Sequence, residues 1–218
     1  MTTTRLEVST AGGRAYLVEI GGGLIARLGA VLDAHGVGRR RIVVSTPPVW
    51  RLVAAELESL AGEAGPVLIP DGERFKHLAT VARIYEALVR LGADRGSTIV
   101  AVGGGVVGDV AGFAAATFLR GLDLVQVPTT LLAQVDAAIG GKVGVNHPAG
   151  KNLIGAFHSP RAVIVDPGAL ATLPRREFRA GLYEVVKYGV IASRELFDTV
   201  RRNLKAVFAR EPAVLQPI

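Results

Sequence analysis

An α/β fold is predicted: a Rossmann-like parallel sheet with flanking helices over residues 1–173, followed by the first helices of an all-helical domain over 174–218. Three observations predict it. Short runs of buried-strand character alternate with apolar stripes at helical spacing, which implies right-handed crossovers and a parallel sheet. Between the strand Thr98-Ile99-Val100-Ala101-Val102 and the next helix stands Gly103-Gly104-Gly105-Val106-Val107-Gly108-Asp109. Such a cluster lets backbone N–H groups approach a phosphate with no side chain in the way. From Pro174 onward the strand signals stop and only helical periodicity remains.

Taken in order, Arg5 to Ser9 and Arg14 to Ile20 alternate as two strands about a Gly12-Gly13 turn. Gly21-Gly22-Gly23 is a turn before the stripe Leu24, Ile25, Leu28, Val31 and Leu32, a helix that stops at Gly36. Arg41 to Val44 is a short buried strand, and Pro47-Pro48 opens a helix to Ala61. Val67 to Pro70 is the next strand, Asp71 to Lys76 a polar loop, and His77 to Leu91 a helix. After Thr98 to Val102 come the helix Val110 to Phe118, the strand Leu124 to Val127, the helix Leu131 to Ile139 and the strand Ala162 to Val165. Pro174 suits a first helical residue, with Val185, Val186 and Val190 as a stripe. A second helix is predicted from Glu195 to Ala209. Two such helices have little to pack against, so the helical domain is expected to be incomplete.

Parallel sheets of this kind bind ligands beyond the carboxyl ends of their strands. Asp71, Gly103 to Asp109 and Thr129-Thr130 all follow strand ends and should converge on one crevice. The same stretch supplies Arg120, Asp136, Lys142, Lys151 and Asn152, so glycines that admit a phosphate are followed by cations, hydroxyls and a carboxylate. Each feature also has an ordinary explanation. A glycine turn serves helix packing, a threonine caps a helix, and Glu184 with Lys187 makes an i, i+3 ion pair.

Composition narrows the classes. Half of the 218 residues are hydrophobic, ample for a core, and no apolar run approaches the roughly 20 residues of a membrane span. There is no cysteine, which excludes disulfides, thiolate catalysis and cysteine-ligated zinc. Met1-Thr2-Thr3-Thr4-Arg5 lacks the apolar core of a signal peptide, so a cytoplasmic protein is expected, with no membrane partner. The net charge of +6 is dispersed and only 6% of residues are aromatic, which argues against a nucleic-acid partner and suits an anionic small substrate. Lysine is scarce: Lys76, Lys142, Lys151, Lys187 and Lys205 are the only ones among 25 basic residues. All but Lys205 stand within motifs.

Those motifs carry a resemblance. Asp71-Gly72-Glu73-x-x-Lys76, Gly103 to Asp109, Phe118-Leu119-Arg120-Gly121 and Gln126 to Leu132 are similar to 3-dehydroquinate synthases of the sugar phosphate cyclase family. So are Gln134-Val135-Asp136, Gly140-Gly141-Lys142, Asn146-His147-Pro148-x-Gly150-Lys151-Asn152, Thr172-Leu173-Pro174 and Glu184-Val185-Val186-Lys187. The resemblance implies an NAD-binding α/β domain and a helical metal domain with the active site between them. The implied reaction converts 3-deoxy-D-arabino-heptulosonate 7-phosphate to 3-dehydroquinate and phosphate, with catalytic NAD and a divalent metal, zinc or cobalt. A homodimer is implied as well.

By resemblance, Asp71, Gly72, Glu73, Arg74, Phe75 and Lys76 bind the adenosine side of NAD, with Glu73 suited to the ribose hydroxyls. Gly105, Val106, Val107, Gly108 and Asp109 hold the pyrophosphate. Thr129, Thr130, Ala169, Leu170, Ala171 and Thr172 complete the cofactor contacts. Asp136 lies near the reacting ring, Lys142 and Lys151 near NAD and the substrate phosphate, Asn152 and Lys187 on substrate, and Arg120 on phosphate, reaching a neighbouring subunit. Glu184 is the first metal ligand.

Two departures stand out. The family's other two metal ligands are histidines, and His35, His77, His147 and His158 have no i, i+3 or i, i+4 partner among them. Since three protein ligands are typical of catalytic zinc, the chain is expected to be a fragment that is inactive alone. Ser45-Thr46-Pro47-Pro48 stands where many members carry Asp or Asn near the adenine ribose. The competing readings are another sugar phosphate cyclase, a metal-dependent polyol dehydrogenase, a non-catalytic NAD-binding module and a basic nucleic-acid binder.

Overall fold

In the computed structural model, residues 3–9 and 14–218 are described; the turn expected at Gly12-Gly13 lies outside them. Parallel pairing organises the sheet. Strands β1 (Thr4–Val8) and β2 (Tyr16–Ile20) form an antiparallel edge. Beyond them β3 (Arg41–Ser45), β4 (Val67–Leu68), β5 (Thr98–Gly103), β6 (Asp123–Pro128) and β9 (Ala162–Val165) run parallel, and β2 joins them through β9. The spatial order is β1-β2-β9-β6-β5-β3-β4. The chain builds outward from β3 to β4, then returns to lay β5 on the other side of β3. That reversal is the switch point where α/β sheets open a crevice.

Alternation along β5 explains the three layers. Val100 and Val102 pack on α1 (Leu28–Ala34) and α2 (Pro47–Ala61), through Leu28, Leu32, Val53 and Leu57. Ile99 and Ala101 face the other way, onto α3 (Leu78–Arg90) and α4 (Gly105–Thr117), through Ile84, Leu88, Val110 and Ala114. Successive side chains of a strand point to opposite faces, so a strand apolar at every position is one covered on both sides. A further apolar cluster gathers Phe178, Leu182 and Val185 of α5 (Arg175–Ile191), Val200 of α6 (Arg194–Arg202), Val207 of α7 (Leu204–Ala209) and Leu215 of α8 (Pro212–Leu215). Leu131, Leu170 and Leu173 belong to the same cluster, which docks these helices on the sheet domain.

The structure differs from the sequence reading in five places. Helix α4 begins at Gly105 rather than Val110, because glycines that weaken helix propensity here cap and open the helix. Pro174 stands one position before α5 rather than in its first turn. The segment 131–139 contains a π-turn at Ala133–Ala137. The helix expected over 195–209 breaks at Asn203, whose side-chain amide donates to the Thr199 carbonyl at 2.9 Å and competes with the helical pattern. Finally, an unforeseen hairpin, β7 (Lys142–His147) with β8 (Gly150–Phe157), packs Val143 and Val145 onto the α4 layer. Its strands pair Gly144 with Gly155, where a Cβ would stand 2.5 Å from the carbonyl oxygens of Ile154 and Val143 respectively.

Candidate functional site

The carboxyl ends of β3, β5, β6 and β9, with the segment after β4, open into one cavity of about 1080 Å³. Thr46, Gly104, Thr129, Asp166 and Asp71 line it from those five tips. Of the sequence-predicted cofactor residues, Asp71, Gly72, Glu73, Lys76, Gly105, Val106, Val107, Asp109, Thr129, Thr130, Ala169 and Thr172 also stand on its wall. The remaining seven, Phe75 among them, are placed differently. Arg74 stacks its guanidinium 4.6 Å from the Phe75 ring. Gly108 packs on Gln126, whose Oε1 would stand 2.7 Å from an added Cβ. Leu170 is buried in the helical cluster, and the Ala171 carbonyl accepts a hydrogen bond from Arg210. Lys142 and Lys151 are exposed on the hairpin outside the lining.

Helix α4 presents its N-terminus to this cavity without a side-chain cap, since Gly104 stands at the capping position. Its first N–H groups therefore have no intrahelical acceptor and point to where an anion would sit. Closeness is also built in: a Cβ on Gly104 would meet Thr130 at 3.0 Å and one on Gly105 would meet Ala137 at 3.3 Å. On the opposite wall the Thr46 hydroxyl is buried without a hydrogen-bond partner. Thr46 stands at the cap of α2, where Pro48 at the second helical position has no N–H to offer and the hydroxyl makes no bond to the N–H of Val49 at the third. An uncapped helix start and a lining threonine whose buried hydroxyl lacks a partner fit a dinucleotide with its pyrophosphate at the first and a ribose near the second.

A polar network closes the wall beside Glu73. The buried Lys76 ammonium pairs with the Asp109 carboxylate and donates to Asn152 Oδ1 at 2.6 Å. Burial pushes the Asp109 carboxyl above its ordinary range, against the pull of the Lys76 hydrogen bond and charge; Glu73 adds to the rise and Lys142 opposes it. Lys142 is thus electrostatically close to the site although it does not line the cavity.

A second cluster lies on α5 and the π-turn. Glu184 and Lys187 form the expected i, i+3 ion pair, and the Glu184 hydrogen bond raises the Lys187 ammonium. Tyr188 donates to Asp136 Oδ1 at 3.3 Å, and the Asp136 charge raises its phenol. Arg120 is elsewhere. It follows the far end of α4, whose 13 residues set it roughly 20 Å from the glycine cradle.

Comparison with known proteins shows the family. The 3-dehydroquinate synthase N-terminal family matches residues 66–180. The chain belongs to the 3-dehydroquinate synthase family. The 3-dehydroquinate synthase of Geobacter metallireducens is 52% identical over 211 residues, covering 95% of this chain and 59% of that protein. The chain thus spans about three fifths of that relative's length. ValA (2-epi-5-epi-valiolone synthase) from Streptomyces hygroscopicus subsp. jinggangensis 5008, solved with NAD+ and Zn2+ bound, aligns with a TM-score of 0.83 and 33% identity over 95% of this chain and 59% of that one. A 2-deoxy-scyllo-inosose synthase complexed with carbaglucose-6-phosphate, NAD+ and Co2+ aligns with a TM-score of 0.75 and 33% identity over 86% of this chain and 52% of that one.

For a member of the 3-dehydroquinate synthase family, the cavity also exposes what sequence reasoning missed. Leu173 lines it from just before α5 and Glu177 from the first turn of that helix, and Ile25 and Glu56 from the opposite side. Strand-tip logic does not reach them, because none follows a strand of the parallel sheet directly. Gln134 ties two tips together, donating to the Pro128 and Asp166 carbonyls at 3.1 and 3.0 Å. A metal is a different matter. Among the described residues no three His, Cys, Asp or Glu side chains converge to hold one, and Glu184 supplies a single carboxylate already paired with Lys187. This span of chain does not form a metal centre by itself.

Proposed function

We propose that this chain is the NAD-holding part of a 3-dehydroquinate synthase, which converts 3-deoxy-D-arabino-heptulosonate 7-phosphate to 3-dehydroquinate and phosphate. One observation carries the reading: five strand tips share a single cavity lined by Asp71, Glu73, Gly105 and Thr129. NAD, when bound, supplies a transient oxidation of one ring carbinol, which acidifies the neighbouring C–H so that phosphate can leave. The residues of this chain do the holding. Glu73 accepts from the ribose hydroxyls and the first amides of α4 bind the pyrophosphate, while Thr129 and Thr130 fix the other half of the cofactor. Lys142, Lys151 and Asn152 meet the sugar phosphate from the hairpin, and Asp136 and Lys187 approach the ring from the π-turn and α5. Arg120, remote from its own cavity, reaches the phosphate of a partner copy in a homodimer. Glu184 is one ligand of a divalent metal whose other ligands this span does not contain. A sugar phosphate substrate and a cytoplasmic setting, with neither nucleic acid nor membrane as partner, complete the proposal.

Two measurements test it. NAD at a hundred times its dissociation constant should stabilise the chain by about 2.7 kcal/mol, read as a rise in melting temperature. No shift at millimolar NAD removes the cofactor assignment. Phosphate release from the heptulosonate phosphate, with NAD and zinc or cobalt, should be absent for these 218 residues and present for a version extended at its C-terminus. A different cyclic product would move the chain to another sugar phosphate cyclase, the reading kept alive by relatives such as ValA.

A further inference from the structure

We propose that Asn146 is a positioning residue that joins Glu73, on the ribose side of the cavity, to Asn152, on the substrate side, so that one amide sets both. The proposal rests on the NAD-binding reading above.

The hairpin delivers Asn146 to this role through a defect in its own ladder. The register between β7 and β8 shifts between Val145 and His147, which leaves Asn146 without a cross-strand partner. Bulges of this kind re-aim a side chain beside a site. The freed backbone N–H of Asn146 donates instead to the Lys76 carbonyl at 2.8 Å, fastening the hairpin to the 71–76 loop. Its side chain then bridges two groups of opposite need. Nδ2 donates to Glu73 Oε1 at 2.8 Å, and Oδ1 accepts the Asn152 N–H at 2.9 Å. A carboxylate only accepts and an amide N–H only donates, so the orientation of the Asn146 amide is dictated by its partners.

Asn152 needs the support. Its φ of +55° lies in the left-handed region, which strains any side chain, asparagine less than most. The N–H held by Asn146 and the side-chain oxygen held by Lys76 pin it there. With one oxygen of Glu73 engaged by Asn146, the other is turned free for a ribose hydroxyl. Aspartate at 146 would keep the acceptor for Asn152 but replace the donor by a charge facing Glu73. Alanine would remove both.

The test is a cycle of NAD affinities by titration calorimetry on the 218-residue chain, with Asn146→Asp, Glu73→Gln and the pair, joined to amide exchange at Asn152 by NMR. Loss of a hydrogen bond to a charged group predicts that Asn146→Asp weakens NAD binding about tenfold. In the Glu73→Gln background, where the glutamine amide can donate to the new carboxylate, the same change should cost less than about twofold. Exchange at Asn152 should stay slow in Asn146→Asp and quicken about tenfold in Asn146→Ala. Equal penalties in both backgrounds, unchanged NAD affinity, or unaltered exchange in Asn146→Ala would each overturn the inference while leaving the NAD reading intact. A wild-type chain that binds no NAD would sink the reading and the inference together.

Discussion

Two lysine–carboxylate pairs in this molecule share their chemistry and almost nothing else. Lys76 and Asp109 come from the loop after β4 and from α4, and their side chains are 7% and 20% exposed. Lys187 and Glu184 are three residues apart on one helix, 48% and 28% exposed. Burial decides what each pair is for. In the first, desolvation is so strong that the Asp109 carboxyl rises despite its cation. In the second, the hydrogen bond of the carboxylate simply favours the charged lysine. A buried pair is bound to its partner, because neither ion can stand alone in a poor dielectric. A solvated pair can trade its partner for a ligand at small cost. The molecule thus keeps a structural pair on the wall of the cavity proposed for the cofactor and a reassignable one where substrate and metal are proposed.

The largest effect that would break this contrast is Asp109→Ala. It strands the Lys76 ammonium and should cost about 3–5 kcal/mol in urea unfolding; a cost near zero would show that water reaches the pair. By contrast Lys187→Met should leave the melting temperature unchanged while abolishing the phosphate release proposed for the C-terminally extended version. Next in size is Thr46→Val. Removing a buried hydroxyl with no partner should stabilise the ligand-free chain by roughly 1 kcal/mol and weaken NAD binding, read by calorimetry. Destabilisation instead would mean that the hydroxyl is satisfied without a ligand.

The smallest effect is a pair of opposite pH slopes. Asp109 sits above its ordinary 3.8, so its unfolded form sheds the proton first. Stability should therefore fall as pH rises from about 3.8 through the raised value, and Asp109→Asn should remove that slope. Glu19 runs the other way. Burial pushes it up, but hydrogen bonds with His35 at 2.7 Å and Arg5 at 3.2 Å outweigh that and hold it below its ordinary 4.5. Its contribution is full above 4.5 and is lost as pH falls through the lower folded value, a loss that Glu19→Gln should abolish. Denaturant midpoints followed from acid to neutral pH read out the two slopes.

The strand tips were legible because a both-faces-buried strand is apolar at every position and the punctuation after it is glycine or threonine. Gly103 to Asp109 and Thr129-Thr130 were placed at strand tips by that punctuation, while reading them as cofactor contacts took the family resemblance. The hairpin was not legible. Its outer strand exposes Leu153 and Phe157, so the alternation that marks a half-buried strand is blurred, and its glycines look like loop. Asn203 and the π-turn were missed for a related reason: side-chain competition and one inserted residue leave the apolar stripe intact while changing the backbone.

By itself the sequence determined the alternation of strands and helices, the place of the glycine-rich helix start and the family, because periodicity and local backbone need are written residue by residue. Tertiary structure alone decided which charges are dry. It set Lys76 against Asp109 across 33 positions and hung Asn146 between Glu73 and Asn152. Burial and hydrogen-bond partnership are properties of what the chain brings together, and no single residue carries them.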